Sequence, residues 1–206
     1  MTEREKEYYL YCGIKSGWHI KSLGDYSNDP TALSKVKKYL RNYSDAVKEG
    51  VGLYLWGANG TGKTHLMNCA AMDLIGKGMK VRVFAMDEIV DKFTSSWYSE
   101  EEKKDLNHVL RYVDFLFIDE FGKNLDKDGN PIYLPDLVKR VMESVLRFRV
   151  QMRKPIWFTS NTDPLYVKEV FSEDVASLLN EAVIPVNVRG GDYRKEIQRL
   201  NKRKFV

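Results

Sequence analysis

The sequence predicts an α/β fold, in which helices cover both faces of a parallel β-sheet. Apolar runs at residues 51–56, 115–118 and 156–160 have the length and composition of buried strands. Segments whose apolar residues recur at helical spacing lie between these runs. Strands that alternate with helices in this way pair in parallel through right-handed crossovers. The 206 residues suit one domain of ordinary size with a substantial core.

The N-terminal part is predicted to contain a short segment, residues 1–28, followed by a single domain at 29–206. Asp29 and Pro30 are typical of a helix N-cap followed by proline at the first helical position. Apolar residues at helical spacing continue from there to about residue 48, and Gly50 is expected to end the helix.

The remaining elements follow from the same alternation of apolar runs and helical periodicity. Further strands are expected at residues 80–84 and 182–188, and further helices at 63–76, 87–98, 99–113 and 135–153. Pro185 restricts the last strand to a sheet edge, because proline has no N–H group to donate within a sheet. The sequence contains no internal repeat or low-complexity linker, so the strands and helices after residue 28 are assigned to one domain.

A phosphate-binding loop follows the first predicted strand. Its residues match the pattern G-x-x-x-x-G-K-[ST] and are Gly57, Ala58, Asn59, Gly60, Thr61, Gly62, Lys63 and Thr64. A strand that leads through glycines into a helix N-terminus aims backbone N–H groups and the positive end of the helix dipole at one point. Lys63 is predicted to contact the β- and γ-phosphates, and Thr64 to offer a hydroxyl to Mg²⁺. With His65 beside it, this loop predicts a nucleoside triphosphate site.

Two further polar sites follow buried strands. Asp119 and Glu120 come directly after the apolar run 115–118. Asp119 occupies the position from which an aspartate holds Mg²⁺ in such proteins, and Glu120 is placed to polarise an attacking water. Asn161 ends the run 156–160, where its amide is expected to orient that water. Together with the loop, these residues predict ATP hydrolysis.

The composition of the chain limits the cellular compartment and the partners that we expect for it. Hydrophobic residues make up 43% and charged residues 30%, as in water-soluble globular proteins. The charged N-terminus lacks the apolar core of a signal peptide, no run reaches the roughly 18 apolar residues of a membrane span, and Cys12 and Cys69 show no metal-type spacing. We therefore expect a cytoplasmic protein without a membrane partner. The net charge of +4 is too small to indicate nucleic-acid binding by itself.

With these three sites in this order, the sequence resembles the AAA+ ATPases, and within them the DnaC/DnaI helicase loaders and the transposition-helper ATPase IstB. The resemblance covers about residues 20–200. Its most specific stretches are Gly60 to Leu66, Ile118 to Gly122, Thr159 to Asn161 and Gly191 to Arg194. It implies a P-loop NTPase sheet of the AAA+ type with a reduced or absent C-terminal lid, ATP and Mg²⁺ as cofactors, and assembly into a homo-oligomer through the ATPase domain.

The resemblance also implies roles for individual residues. Asn161 corresponds to the sensor-1 residue, Arg194 is a candidate sensor-2 arginine on the γ-phosphate, and residues 20–26 are expected near the adenine. The segment 87–98 corresponds to the region that meets single-stranded DNA, where Lys92, Phe93 and Trp97 offer a cation and aromatic rings. Phe93 and Trp97 are spaced equally well for core packing. In the basic C-terminal tail, contact with the DNA backbone is expected from Lys202, Arg203 and Lys204.

Two departures from the family pattern affect the expected function. Loaders of this family carry an extra N-terminal domain that grips the helicase, whereas some 20 to 30 residues precede the predicted ATPase core here. Leu178 stands where the family has an arginine that acts on the ATP of a neighbouring subunit. The remaining candidates for that role are Arg147, Arg149, Arg189 or a residue of another protein.

The leading prediction is an ATPase that loads a replicative helicase during DNA replication and contacts single-stranded DNA. One alternative is a helper ATPase for a transposase, of the IstB type. Another is a nucleotide-gated binding module with little turnover, which the leucine at position 178 favours. A P-loop kinase for a small molecule is a third, but we identify neither an arginine-rich lid nor an acceptor pocket in the sequence, and Glu120 suits water activation better.

Overall fold

Five parallel strands form one β-sheet in the computed structural model, which describes residues 1–95, 98–122 and 135–192. The strands are β1 (Gly52–Trp56), β2 (Val81–Ala85), β3 (Phe115–Asp119), β4 (Ile156–Ser160) and β5 (Val183–Asn187). Their spatial order is β2-β3-β4-β1-β5. Tyr54 of β1 pairs in register with Phe158 of β4 on one side and with Pro185 of β5 on the other. The predicted α/β fold and the predicted edge position of β5 are confirmed.

Helices connect the strands and begin largely where the sequence predicts. They are α1 (Glu3–Tyr11), α2 (Pro30–Arg41), α3 (Tyr43–Glu49), α4 (Lys63–Gly76), α5 (Met86–Thr94), α6 (Glu100–Tyr112), α7 (Asp136–Gln151), α8 (Val167–Val170) and α9 (Glu173–Ala182). The Asp29 carboxylate accepts the N–H groups of Thr31 and Ala32, both at 3.0 Å, as expected of the N-cap of α2. Ser99 and Glu102 cap α6 reciprocally.

The prediction of a single helix from Pro30 to about residue 48 is wrong, because the helix is interrupted at Asn42. The Asn42 backbone turns out of the helical region (φ −107°, ψ 26°), and its N–H and side-chain amide both donate to the Lys38 carbonyl. These bonds close α2, and α3 starts anew at Tyr43. Gly50, in the left-handed conformation (φ 74°), then ends α3 as predicted. The helix after β2 also ends earlier than predicted, at Thr94 instead of residue 98.

Each face of the sheet carries its own hydrophobic cluster, because successive side chains of a strand point to opposite faces. Tyr54, Ile118 and Phe158 face the cluster that α5, α6, α7 and α9 cover. Leu55 and Trp157 face the cluster that α2 and α4 cover. Both faces of the sheet are therefore buried, which explains why the central strands are continuously apolar in sequence.

The N-terminal segment packs on the α2–α4 face. Ile14 and Tyr26 are fully buried in that cluster. The Val83 N–H donates to the Cys12 carbonyl at 2.8 Å, so the chain after α1 lies against the edge strand β2. These contacts bring residues 16–28 alongside the phosphate-binding loop, while the boundary drawn at residue 28 stays a prediction. Within the described ranges, no helix has both the length and the apolar character needed to cross a membrane.

On the sheet face covered by α5, α6, α7 and α9, the buried cation of Arg149 joins α7 to the end of α6 and the start of β4. The Arg149 side chain of α7 is fully buried, and desolvation lowers the pKa of its guanidinium to about 9, so it is still protonated at neutral pH. Its two terminal nitrogens donate to five backbone carbonyls at the end of α6 and before β4, those of Leu110, Arg111, Val113, Asp114 and Pro155, at 2.6–3.2 Å. The planar fork of arginine suits such a cluster of acceptors.

Candidate nucleotide-binding site

The phosphate-binding loop runs from the end of β1 into α4, as the motif predicts. Gly62 has a left-handed backbone (φ 93°), and a Cβ there would lie 2.5 Å from Cε2 of the Tyr26 ring. Gly60 is also left-handed (φ 81°), and a Cβ there would lie 2.2 Å from an oxygen of Asp192. Glycine is required at both positions, by backbone conformation and by the space available.

A cavity of about 270 Å³ lies at the carboxyl ends of the strands, where α/β sheets bind ligands. Its walls combine Asn59 and Gly60 of the loop and the stretch from Gly62 to His65 with Asp119, Glu120 and Asn161. The structure therefore brings together the three sites predicted from sequence. Gly57 is buried below the cavity, and Ala58 is exposed on the loop.

Lys63 is held at the floor of this cavity. Its Nζ donates to the carbonyls of Gly57 and Ala58, both at 2.8 Å, and only 8% of the residue is exposed. A cation fixed beside the loop N–H groups forms the arrangement that binds the phosphates of a nucleotide in P-loop proteins.

The acidic pair at the end of β3 is joined to the loop by hydroxyl groups. Thr64 Oγ1 donates to Asp119 Oδ1 at 3.1 Å, and Thr159 Oγ1 donates to the same oxygen. Burial raises the pKa of Asp119, and the two hydroxyl donors oppose that rise. Thr64 and Asp119 thus place two hard oxygen ligands side by side, at the position where Mg²⁺ would meet a bound phosphate.

Thr159 also positions Glu120, a role that sequence reasoning missed. The Glu120 N–H donates to Thr159 Oγ1 at 3.0 Å, and Glu120 has the left-handed φ of 59°, which is uncommon outside glycine. Thr159 lies in β4 and is 1% exposed. The available signal was a hydroxyl residue near the end of an otherwise apolar strand, next to the predicted Asn161. Asn161 itself is exposed on the cavity wall, and its proposed sensor role stays a prediction.

The stretch expected near the adenine is only partly on the cavity. Lys21 lines it, together with Gly17 and Trp18, which precede the predicted range of residues 20–26. Ile20 is 82% exposed, and Tyr26 packs behind the loop. His65 is buried, and one of its ring nitrogens lies 2.9 Å from the Ser22 carbonyl oxygen, so it anchors this stretch to α4.

The residues predicted to contact DNA are only partly within the described ranges. The Lys92 ammonium lies 4.6 Å from the centroid of the Tyr98 ring. Phe93 is buried in the core cluster, which favours core packing over DNA contact for this ring. Outside the described residues lie Trp97, the candidate sensor-2 residue Arg194, and the basic residues Lys202, Arg203 and Lys204.

Of the three arginine candidates for action on a neighbouring subunit, Arg149 is excluded, since this side chain is fully buried among five carbonyls of its own chain. Leu178 is half-buried against the core. Arg147 pairs with Glu143 on the surface of α7 at 3.0 Å, and Arg189 is exposed after β5. These two arginines remain candidates for the role.

Comparison with known proteins assigns the chain to a family of ATPase domains, in agreement with the geometry of the nucleotide site. The family model of the bacterial DnaA ATPase domain matches residues 35–180. The chain belongs to this family. It is therefore an AAA+ ATPase domain with the nucleotide-binding capacity of that family, as its resemblance predicts, and this assignment favours an ATPase over a small-molecule kinase.

Relatives of this DnaA-family domain include proteins of DNA replication. The replicative helicase loader DnaI of Bacillus subtilis is 28% identical over 148 residues, which are 70% of this chain and 45% of that protein. A crystal structure of DnaI superposes with a TM-score of 0.70 at 19% identity, covering 87% of this chain and 94% of the other. The replication initiator DnaA bound to AMPPCP and single-stranded DNA gives a TM-score of 0.68 at 16% identity, covering 91% and 56%. The structural similarities show the fold, and the chain spans about half the length of the matched DnaI protein.

Proposed function

We propose that this DnaA-family ATPase domain is an ATP-dependent loader of a replicative helicase onto single-stranded DNA. The observation that carries the proposal is the 28% identity to the helicase loader DnaI, which extends over 70% of this chain. The fold of a DnaI structure over 87% of the chain supports the same assignment. The loader works in the cytoplasm as a homo-oligomer assembled through the ATPase domain. A transposase helper of the IstB type remains the alternative, with a different client.

The cofactor of this loader is ATP with Mg²⁺. Magnesium keeps several waters and takes one or two protein oxygens together with phosphate oxygens. Thr64 Oγ1 and Asp119 Oδ1, 3.1 Å apart, suit such a site. The ion would offset phosphate charge, while Lys63 binds the phosphates, Glu120 takes a proton from the attacking water, and Asn161 orients that water.

A second candidate is a nucleotide-gated module with little turnover of its own. Two observations favour it: Leu178 occupies the position of the family arginine, and Arg149 is buried within its own subunit. An arginine contributed by another subunit increases hydrolysis by about 10³–10⁵-fold in related phosphoryl-transfer enzymes. Under this candidate, hydrolysis is slow until a client protein contributes the missing cation.

The loader function is tested with the replicative helicase from the organism that encodes the chain. The chain is expected to form a complex with that helicase in the presence of ATP, and to increase helicase binding to single-stranded DNA. Lys63→Ala, which removes the phosphate-binding cation, serves as the control. It is expected to fold but to bind ATP weakly, so that added ATP no longer promotes complex formation. Failure to bind the helicase, with capture of a transposase from the same organism instead, would favour the IstB-type alternative.

The basic tail is expected to contribute DNA affinity without sequence preference. Changing Lys202, Arg203 and Lys204 together to alanine is predicted to weaken single-stranded DNA binding and to lower the log–log salt slope by up to about two, because each phosphate that a cation no longer neutralises reduces the slope by about 0.7. ATP affinity should be unchanged, whereas Arg194→Ala should impair hydrolysis and leave the salt slope intact. Fluorescence anisotropy at several salt concentrations measures the slope, and phosphate release measures hydrolysis. An unaltered slope in the triple variant would move the DNA contact to the region of Lys92 and Trp97.

A further inference from the structure

The backbone carbonyl of Thr61, inside the phosphate-binding loop, is held by two side chains from outside the loop. The Tyr26 hydroxyl donates to this oxygen at 2.9 Å, and the Asn28 amide donates to it at 3.1 Å. Thr61 is 1% exposed and Tyr26 is 2% exposed, so the tyrosine bond is shielded from water, and the Asn28 bond is partly buried. Tyr26 and Asn28 lie behind the loop and are not among the residues that line the cavity.

Holding this carbonyl also sets the direction of the next N–H group. A trans peptide is planar, and its C=O and N–H bonds point in opposite directions. The donors that fix the Thr61 carbonyl therefore turn the Gly62 N–H away from Tyr26 and Asn28. Gly62 lines the cavity, while the Tyr26 ring packs on its other side. The N–H group is thus directed to the side on which a phosphate binds.

The loop needs such an external constraint, because glycine backbones rotate with little steric resistance. Rotation of the Thr61–Gly62 peptide plane changes ψ of Thr61 and φ of Gly62, and Gly62 is a left-handed glycine (φ 93°). Because glycine adopts positive and negative φ about equally readily, the sequence of the loop alone does not select one orientation of this peptide. The buried Tyr26 hydroxyl and the partly buried Asn28 amide, which both donate to the Thr61 oxygen, do.

We propose that Tyr26 and Asn28 are positioning residues for nucleotide binding: they hold the Thr61–Gly62 peptide in the orientation that presents the Gly62 N–H to the phosphates. This inference rests on the proposed binding of ATP at the loop. It assigns a function to residues that the loop motif does not include.

The side-chain amide of Asn28 is restrained by a second acceptor besides the Thr61 carbonyl. Its amide also donates to the Gly191 carbonyl at 2.9 Å, and a Cβ at Gly190 would lie 2.7 Å from that amide group. The neighbouring Asp29 accepts the Arg189 N–H at 2.8 Å. Residues 28–29 thus connect the loop to the chain that follows β5.

The test uses Tyr26→Phe, Asn28→Ala and the double variant in the full chain. Each single change is expected to raise the dissociation constant of a non-hydrolysable ATP analogue about 3–10-fold, the effect of removing one hydrogen bond. The double change is expected to raise the dissociation constant more than either single change, because each donor contributes to holding the same carbonyl oxygen. The KM for ATP should rise with kcat nearly unchanged, because the Gly62 N–H binds ground state and transition state alike.

Tyr39→Phe is the matched control. Its hydroxyl also donates to a backbone carbonyl, that of Val51, at 2.7 Å, and the residue is buried away from the nucleotide cavity. It is expected to lower the stability of the fold to a similar extent as Tyr26→Phe and to leave ATP affinity unaltered. Comparing the two variants separates positioning of the loop from a general loss of stability.

Nuclear magnetic resonance gives a direct signature. The Gly62 amide proton is expected to shift downfield when the ATP analogue binds to the wild-type chain, and this shift should be absent or reduced in both single variants. Wild-type affinity in Tyr26→Phe and Asn28→Ala, with the Gly62 shift retained, would overturn the positioning role; these single variants decide the matter if the double variant does not fold. A wild-type chain that does not bind ATP would instead contradict the proposed function.

Discussion

Replacing Glu120 by glutamine is expected to slow ATP hydrolysis by about 10²–10⁴-fold while ATP still binds. Glutamine keeps the size of the side chain but has no carboxylate to take a proton from the attacking water. The neighbouring contacts should persist, because Glu120 is held through its backbone N–H by Thr159 and Asp119, at 3.0 and 3.2 Å. The variant is therefore expected to accumulate in its ATP-bound form.

Steady-state phosphate release and calorimetry with ATP measure the two parts of this expectation. Glu143→Gln is the matched control, since it makes the same substitution at a surface residue that pairs with Arg147. It is expected to hydrolyse ATP at the wild-type rate. Lys63→Ala should lose binding, which separates a defect in chemistry from a defect in affinity. If Glu120→Gln hydrolysed ATP as fast as the wild type, Glu120 would not be the general base.

Replacing Arg149 by methionine is expected to lower the free energy of unfolding by about 3–5 kcal/mol, because buried carbonyl acceptors lose their hydrogen-bond donor. Methionine fills a similar volume but leaves four backbone carbonyls at the junction of α6, α7 and β4 without the arginine as donor, whereas the fifth, that of Pro155, still accepts the Leu116 N–H at 3.3 Å. Replacing a buried ion pair by apolar residues can be neutral when both partners are replaced. Here the acceptors belong to the backbone and stay in place, so the cost of burying them unpaired remains.

Urea unfolding monitored by circular dichroism measures this decrease in stability. Arg149→Lys is expected to be intermediate, because an ammonium keeps the charge but cannot reach all five acceptors with the geometry of a fork. Arg147→Ala, two residues earlier on α7, removes a surface arginine paired with Glu143, and its effect should stay within about 1 kcal/mol. An unfolding midpoint for Arg149→Lys equal to that of the wild type would show that the carbonyl cluster does not depend on the guanidinium.

The features that sequence reasoning placed correctly depend on short stretches of chain. The phosphate-binding loop needs only a strand, its glycines and the first turn of α4, all within residues 52–66. The caps Asp29 and Ser99 act on N–H groups two or three residues away. The positions of Asp119 and Asn161 follow from one rule, that parallel strands end at a common edge of the sheet.

The excluded candidate Arg149 and the wrong prediction of one helix across Asn42 concern residues whose surroundings come from distant segments or from side-chain bonds to the backbone. Arg149 is on a helix with many exposed charges, and only the packing of α6 and β4 around it shows that it is buried. The helix is interrupted at Asn42 because the side-chain amide and the backbone N–H of this residue both donate to the Lys38 carbonyl. The spacing of apolar residues does not predict such bonds.

The sequence by itself determined the class of fold, the nucleotide loop and the acidic pair, because each is encoded by neighbouring residues or by strand ends. The tertiary structure alone decided the order β2-β3-β4-β1-β5 and the contacts of Thr61 with Tyr26 and Asn28, which lie 35 and 33 residues earlier in the chain. It also decided the contact of Thr159 with Glu120, across 39 residues. Contacts of this kind form only when packing brings separate segments together, and no local pattern of residues records which segments will meet.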